Sequence, residues 1–198
     1  VYNGVDLNVF KTKTEIENKS DFFHIVFVGN DYKRKGLSTL LKAIADFKTN
    51  YFIKLDVFGE GKDKSEYVKL IEQLGLFDRV NFKGNVSNDK LAKLLPDYNL
   101  FILPSEFETC GIALIEAMAC GIPVISTNIT AIPEIVSDEQ VGLLVSPGNV
   151  KELTMAIEKA LNKKWNKEHI QKHAMKFSIE ETAKNIDKVY DEILFEKK

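Results

Sequence analysis

This sequence predicts a doubly wound parallel α/β sheet, and three observations carry the prediction. Short apolar runs rich in β-branched and aromatic residues recur six times. Helical patterns separate them, the arrangement that builds crossover connections between parallel strands. Polar, mostly glycine-bearing loops follow the first four runs, on the rim where such sheets bind ligands. A chain of 198 residues can bury the core of one such domain.

The strands are expected at 24–28, 53–58, 80–82, 100–103, 123–126 and 142–145. Helices are expected at 37–47, 62–74, 88–95, 112–119 and 150–161, giving a six-stranded Rossmann-like sheet over residues 21–165. The loops 29–36, 59–61, 84–86 and 105–109 would then converge on one rim. Two further helices follow at 166–173 and 178–195. The last carries Ile179, Ala183, Ile186, Val189, Tyr190 and Ile193 at helical spacing, a stripe that predicts packing. Residues 11–20 are polar and read as a loop or flexible arm.

Composition narrows the function classes. Hydrophobic residues make up 44% and charged residues 28%, ordinary for a globular protein, and a net charge of −2 leaves no footprint for a polyanion. Nucleic acid is therefore not an expected partner. The two cysteines, Cys110 and Cys120, match neither a disulfide framework nor a zinc site, and both read as reduced, packed thiols of a cytoplasmic protein. No apolar run approaches the ~20 residues that cross a bilayer. His24, His169 and His173 lie far in sequence from Cys110 and fit packing or surface roles, which disfavours thiol catalysis.

One constellation stands out. Glu108 and Glu116 bracket Gly111, and residues 112–119 are good helix formers stopped by Gly121 and Pro123. The helix begins beside Gly111, so the amides of Gly111, Ile112 and Ala113 lack intrahelical partners and suit an anion such as a diphosphate. An ionised carboxylate accepts hydrogen bonds at both oxygens, so Glu116 suits a ribose diol and Glu108 the hydroxyls of a sugar beyond the far phosphate. Two glutamates at this spacing also arise by chance.

The surrounding string is more specific. Residues 104–127, with Ser105, Glu108, Gly111, Glu116, Gly121 and Pro123 so spaced, resemble the signature of the retaining glycosyltransferases of family 4, whose fold is the two-domain GT-B type. Residues 3–10 resemble the linker entering their C-terminal domain, and residues 28–36 their phosphate loop and Lys-Gly. Residues 57–61 and 80–87 match two further strand-end loops in the right order. The chain also opens on Val1 inside that linker. The resemblance thus implies an excised donor-binding half, with residues 1–20 as linker remnant and arm, and 166–198 as helices packing on the domain or toward the N-terminal half.

Carried over residue by residue, the resemblance implies catalytic roles for Lys35, Arg34 and Glu108. It implies nucleotide-sugar contacts from Gly29, Asn30, Gly84, Asn85, Val86, Leu91, Thr109, Cys110, Gly111, Ile112, Ala113 and Glu116, with Leu91 over the base. Lys35 would stabilise the departing diphosphate, since Lys-Gly after a strand-end loop projects an ammonium while Gly36 lets the next helix start close by. The family's arginine after the loop glycine is Asn30 here, which leaves Arg34 or Lys33 as second cation. Thr130 and Ala131 replace a family glycine pair before Pro133-Glu134. Cations plus a helix tip make a metal unnecessary, so no cofactor and no metal ligands are expected.

The activity so implied is transfer of a hexose from a UDP- or GDP-sugar to a saccharide or lipid acceptor held by the N-terminal half, in polysaccharide or lipopolysaccharide biosynthesis. The setting would be cytoplasmic, with peripheral membrane association of the longer enzyme left open. Two alternatives stay open beside it: a GT-B-like UDP-sugar epimerase, which would need extra acid and base groups, and a non-catalytic nucleotide- or protein-binding module.

Overall fold

Six strands, β1 (Phe22–Val28), β2 (Phe52–Phe58), β3 (Val80–Gly84), β4 (Leu100–Leu103), β5 (Val124–Thr127) and β6 (Gly142–Val145), form one sheet in the order β3-β2-β1-β4-β5-β6. Every pairing is parallel. This computed structural model describes residues 3–12, 22–47 and 52–195. The six expected strands and their parallel class are all present, and the order is that of the doubly wound folds.

The chain runs outward from β1 to β3, returns to pair β4 beside β1, and runs outward again to β6. The direction reverses between β1 and β4, so the loops leaving their carboxyl ends splay to opposite faces and open a crevice. Every residue of β4 and β5 is buried, as strands covered on both faces by crossover helices must be.

Eight helices flank the sheet among the described residues: α1 (Leu37–Asp46), α2 (Lys64–Gln73), α3 (Asn88–Leu94), α4 (Ile112–Ala119), α5 (Ile132–Ile135), α6 (Val150–Asn162), α7 (Lys167–Ala174) and α8 (Ile179–Phe195). α1 packs against α6, and α4 against α7. α5, with Pro133 in its first turn, is a single turn too short for periodicity to announce. Cys120 is buried at the end of α4, where burial, with the Glu116 charge adding to it, pushes its thiol up to about 12. It is packing, as expected.

Two regions add to the sequence reading. Val5 and Phe10 are buried, and Val5 bridges the start of α8, its amide donating to Phe177 O at 2.9 Å and its carbonyl accepting from Ile179 at 3.1 Å. The polar arm expected at 11–20 lies, from residue 13 onward, outside the described residues. On α8 the stripe expected to pack on the domain or toward the N-terminal half is open: Ile186, Val189, Tyr190 and Ile193 are 40% to 62% exposed. The helical spacing is right, but no described element covers that face. Among the described residues no helix is long and apolar enough to cross a membrane.

Candidate functional site

The crevice is built from two loops. In the first, joining β1 to α1, Tyr32 is fully buried, donates its hydroxyl to Gly59 O at 2.9 Å and packs its ring edge-on or tilted against Phe27, Tyr67 and Phe82. That anchor sets the loop. Gly36 then caps α1 at φ 74°, and a Cβ there would lie 2.0 Å from the carbonyl oxygen of Pro104, so only glycine lets the two loops touch. Lys35, one residue earlier, is delivered to the crevice.

The second loop joins β4 to α4. It is tied to the first by the Glu106 amide, which donates to Arg34 O at 2.9 Å. Gly111 caps α4 at φ 62°, and neither α4 nor α1 has a side-chain cap. Two helix starts without a side-chain cap therefore sit on either side of the sheet's reversal.

Glu108 lies at their junction, 6% exposed, with one carboxylate oxygen paired to the Lys35 ammonium and the other accepting from the Thr109 amide at 3.0 Å. Burial pushes its carboxyl up, but the Lys35 bond and charge and the amides of Thr109 and Gly111 outweigh that and hold it below the usual carboxylate range. The carboxylate thus lies between the Lys35 ammonium and the amides of Thr109 and Gly111.

Glu116 sits one turn into α4. Its side chain bonds to no described residue, and burial pushes its carboxyl up to about 7. It opens into a cavity of about 380 Å³ whose other walls are Asp6, Val9, Phe10, Asn88, Asp89 and Ile112. Of these walls the sequence names Ile112 as a contact; residues 3–10 read only as linker, and the Asn3-Gly4-Val5-Asp6 match is the available signal for the rest of that side.

The remaining expected residues divide. Gly29 donates its amide to Phe58 O at 2.9 Å, and the Asn30 side-chain oxygen accepts from the Glu60 amide at 2.9 Å, so this pair stitches the β1 and β2 rims together. Arg34 is exposed and pairs with Asp31 at 3.4 Å. Gly84 ends β3 at φ 70°, and the exposed Asn85 reaches Glu60 at 3.5 Å. Val86 is half-buried. Leu91 is 5% exposed within the core, which leaves it little surface for a base. Thr109 is exposed, Cys110 half-buried, Ile112 exposed and Ala113 half-buried, all at the α4 tip.

A further set escaped the sequence. Ser126 donates its hydroxyl to Leu103 O and Thr127 donates to Ser105 O, each at 2.7 Å, and Thr130 donates to Glu108 O. Thr130 stands where the glycine pair was expected and has φ 47°, the only positive φ of a non-glycine among the described residues. No group of three metal-ligating side chains occurs among the described residues.

Comparison with known proteins gives a consistent result. The family described as glycosyl transferases group 1 matches residues 9–177. N-acetyl-alpha-D-glucosaminyl L-malate synthase of Bacillus anthracis is 32% identical over 155 residues, covering 75% of this chain and 40% of that protein. Sucrose-phosphate synthase of Thermosynechococcus elongatus superposes with a TM-score of 0.84 at 26% identity, over 97% of this chain and 51% of that one. The Anabaena protein HepE, solved in complex with UDP and glucose, gives a TM-score of 0.82 at 24% identity over 96% of this chain and 56% of its own. The chain thus spans somewhat under half the length of the curated relatives it matches.

Proposed function

The chain belongs to the glycosyl transferases group 1 family, and from that premise we propose that it is the donor-binding, C-terminal domain of a retaining family 4 enzyme that moves a hexose from a UDP- or GDP-sugar to a saccharide or lipid acceptor. One observation carries the reading: Lys35 and Glu108, 73 residues apart, meet across the β1/β4 reversal beside two uncapped helix starts. The Anabaena relative's complex with UDP and glucose supports the same ligand class.

The chemistry follows from the groups. As the bond between the sugar and the diphosphate lengthens, negative charge grows on the departing phosphate oxygen. The Lys35 ammonium and the free amides at the α4 tip are preorganised to receive it. A diphosphate outcompetes a single carboxylate for that ammonium, which frees Glu108 to accept hydrogen bonds from the sugar's hydroxyls. Glu116, in its cavity with Asp6 and Asn88, accepts the ribose diol. Arg34 or Lys33 supplies further positive charge from the loop surface, and the reading asks for no metal. The acceptor is held by a part of the enzyme beyond this domain, on the cytoplasmic side.

Thermal unfolding with UDP, GDP, ADP, UDP-glucose and GDP-mannose tests this, since a ligand that binds only the folded state raises the midpoint. At least one uridine or guanosine ligand raises it, equally with and without EDTA. A flat response to all five favours a module without donor binding.

A further inference from the structure

Side-chain hydroxyls carry the β4–β5 pairing past the end of the sheet. The backbone register of the two strands stops at Leu103 and Ser126. From that last pair outward, Ser126, Thr127 and Thr130 donate in turn to the carbonyls of Leu103, Ser105 and Glu108. The last rung ends on the residue whose carboxylate meets Lys35. It also comes from the one non-glycine residue held at positive φ, 47°, among the described residues. A β-branched side chain is among the poorest choices for that conformation, and strain of this kind persists only where surrounding contacts over-determine it.

Two needs meet at this position. The backbone must turn through the left-handed region to enter α5, and the loop carrying Glu108 must be held where no strand pairing reaches it. Glycine would meet the first need alone. Threonine meets both, because its hydroxyl fixes the Glu108 carbonyl while the backbone makes the turn.

We infer that Thr130 is a positioning residue for donor recognition: its hydroxyl holds the main chain of Glu108 so that the carboxylate, once released by Lys35, stands at the sugar rather than swinging with its loop. The inference rests on the donor-binding reading above. Thr130 touches no reacting atom and acts only through Glu108. Its effect belongs to the sugar half of the ligand and leaves the nucleoside diphosphate alone.

The test measures the affinity of UDP-glucose relative to UDP, and of GDP-mannose relative to GDP, by calorimetry for the wild type and for Thr130→Val, Thr130→Gly and Thr130→Ser, with melting temperatures alongside. Losing the hydroxyl in the Val and Gly variants lowers the sugar-nucleotide preference by about tenfold, the worth of one well-made hydrogen bond. Affinity for the free diphosphate stays put, and Ser keeps the preference. The Gly variant, relieved of strain, melts no lower than the Val variant, which separates positioning from stability. An unchanged preference in both Val and Gly, or one that merely follows melting temperature across the three, overturns the inference. A wild type that binds the diphosphates with no preference for either sugar nucleotide overturns this inference alone, whereas one that binds none of the four ligands overturns the donor reading and this inference with it.

Discussion

The Lys35 ammonium and the Glu108 carboxylate neutralise each other at the tip of α4, their side chains 16% and 8% exposed. Each is the group that a bound donor would claim. On the donor-binding reading, a diphosphate must displace this carboxylate before it can use the ammonium.

Glu108→Gln follows from that competition. The amide keeps the shape but not the charge, so Lys35 is no longer neutralised and the free nucleoside diphosphate binds roughly three- to tenfold more tightly. The sugar nucleotide loses its charged hydroxyl acceptor, so its advantage over the diphosphate shrinks. Calorimetry with both ligands reads the two effects, and weaker binding of the free diphosphate would contradict the competition.

Gly36→Ala probes the contact that brings the two residues together. A methyl at φ 74° carries the left-handed penalty, and its Cβ would sit 2.0 Å from the Pro104 carbonyl oxygen, so the two loops must part. The combined cost is about 3 kcal/mol, read as a shifted urea midpoint at unchanged slope. A loss below about 1 kcal/mol would mean that the loops yield without strain.

What the sequence disclosed and what it withheld divide along physical lines. Strand-length apolar runs and the glycine stops around α4 depend on neighbours in the chain, and they located β1 to β6 and the start of α4. The pairing of Lys35 with Glu108 depends on β4 returning beside β1, which no local pattern encodes, although each residue was a candidate on its own. Thr130's left-handed turn had only one sign, the glycine it replaces in the family pattern, because a threonine announces no such turn, and the residues between 4 and 10 that help wall the Glu116 cavity were hidden by their irregular backbone. On α8 periodicity identified a helix, but spacing shows which face is apolar and nothing about what lies against it, so cover by this domain and cover by the N-terminal half both stayed open.

Ser105 is fully buried, and its Oγ is the only buried side-chain polar atom without a hydrogen-bond partner among the described residues. Replacing it by Ala removes an unsatisfied group, so Ser105→Ala is neutral or stabilises by up to about 1 kcal/mol. Its backbone carbonyl still accepts from Thr127, so the loop keeps its rung. A marked destabilisation in chemical denaturation would show that the hydroxyl has a partner in solution.

On the donor-binding reading, Glu116 makes donor binding pH-dependent near neutrality. Burial raises its carboxyl from 4.5 to about 7 in the ligand-free domain, so between those values the folded state holds a proton that the unfolded chain has released. Stability from this group is therefore fully present below 4.5 and is lost as pH rises through about 7. Ligand affinity moves the other way. Ribose hydroxyls donate to the ionised form, so binding of a sugar nucleotide, whose esterified diphosphate has no proton titrating in this range, strengthens from pH 6 to pH 8 and releases protons below 7, visible by calorimetry in two buffers of different ionisation enthalpy. In Glu116→Gln both the proton release and this slope disappear. Proton release that survived the substitution would assign the titration to another group.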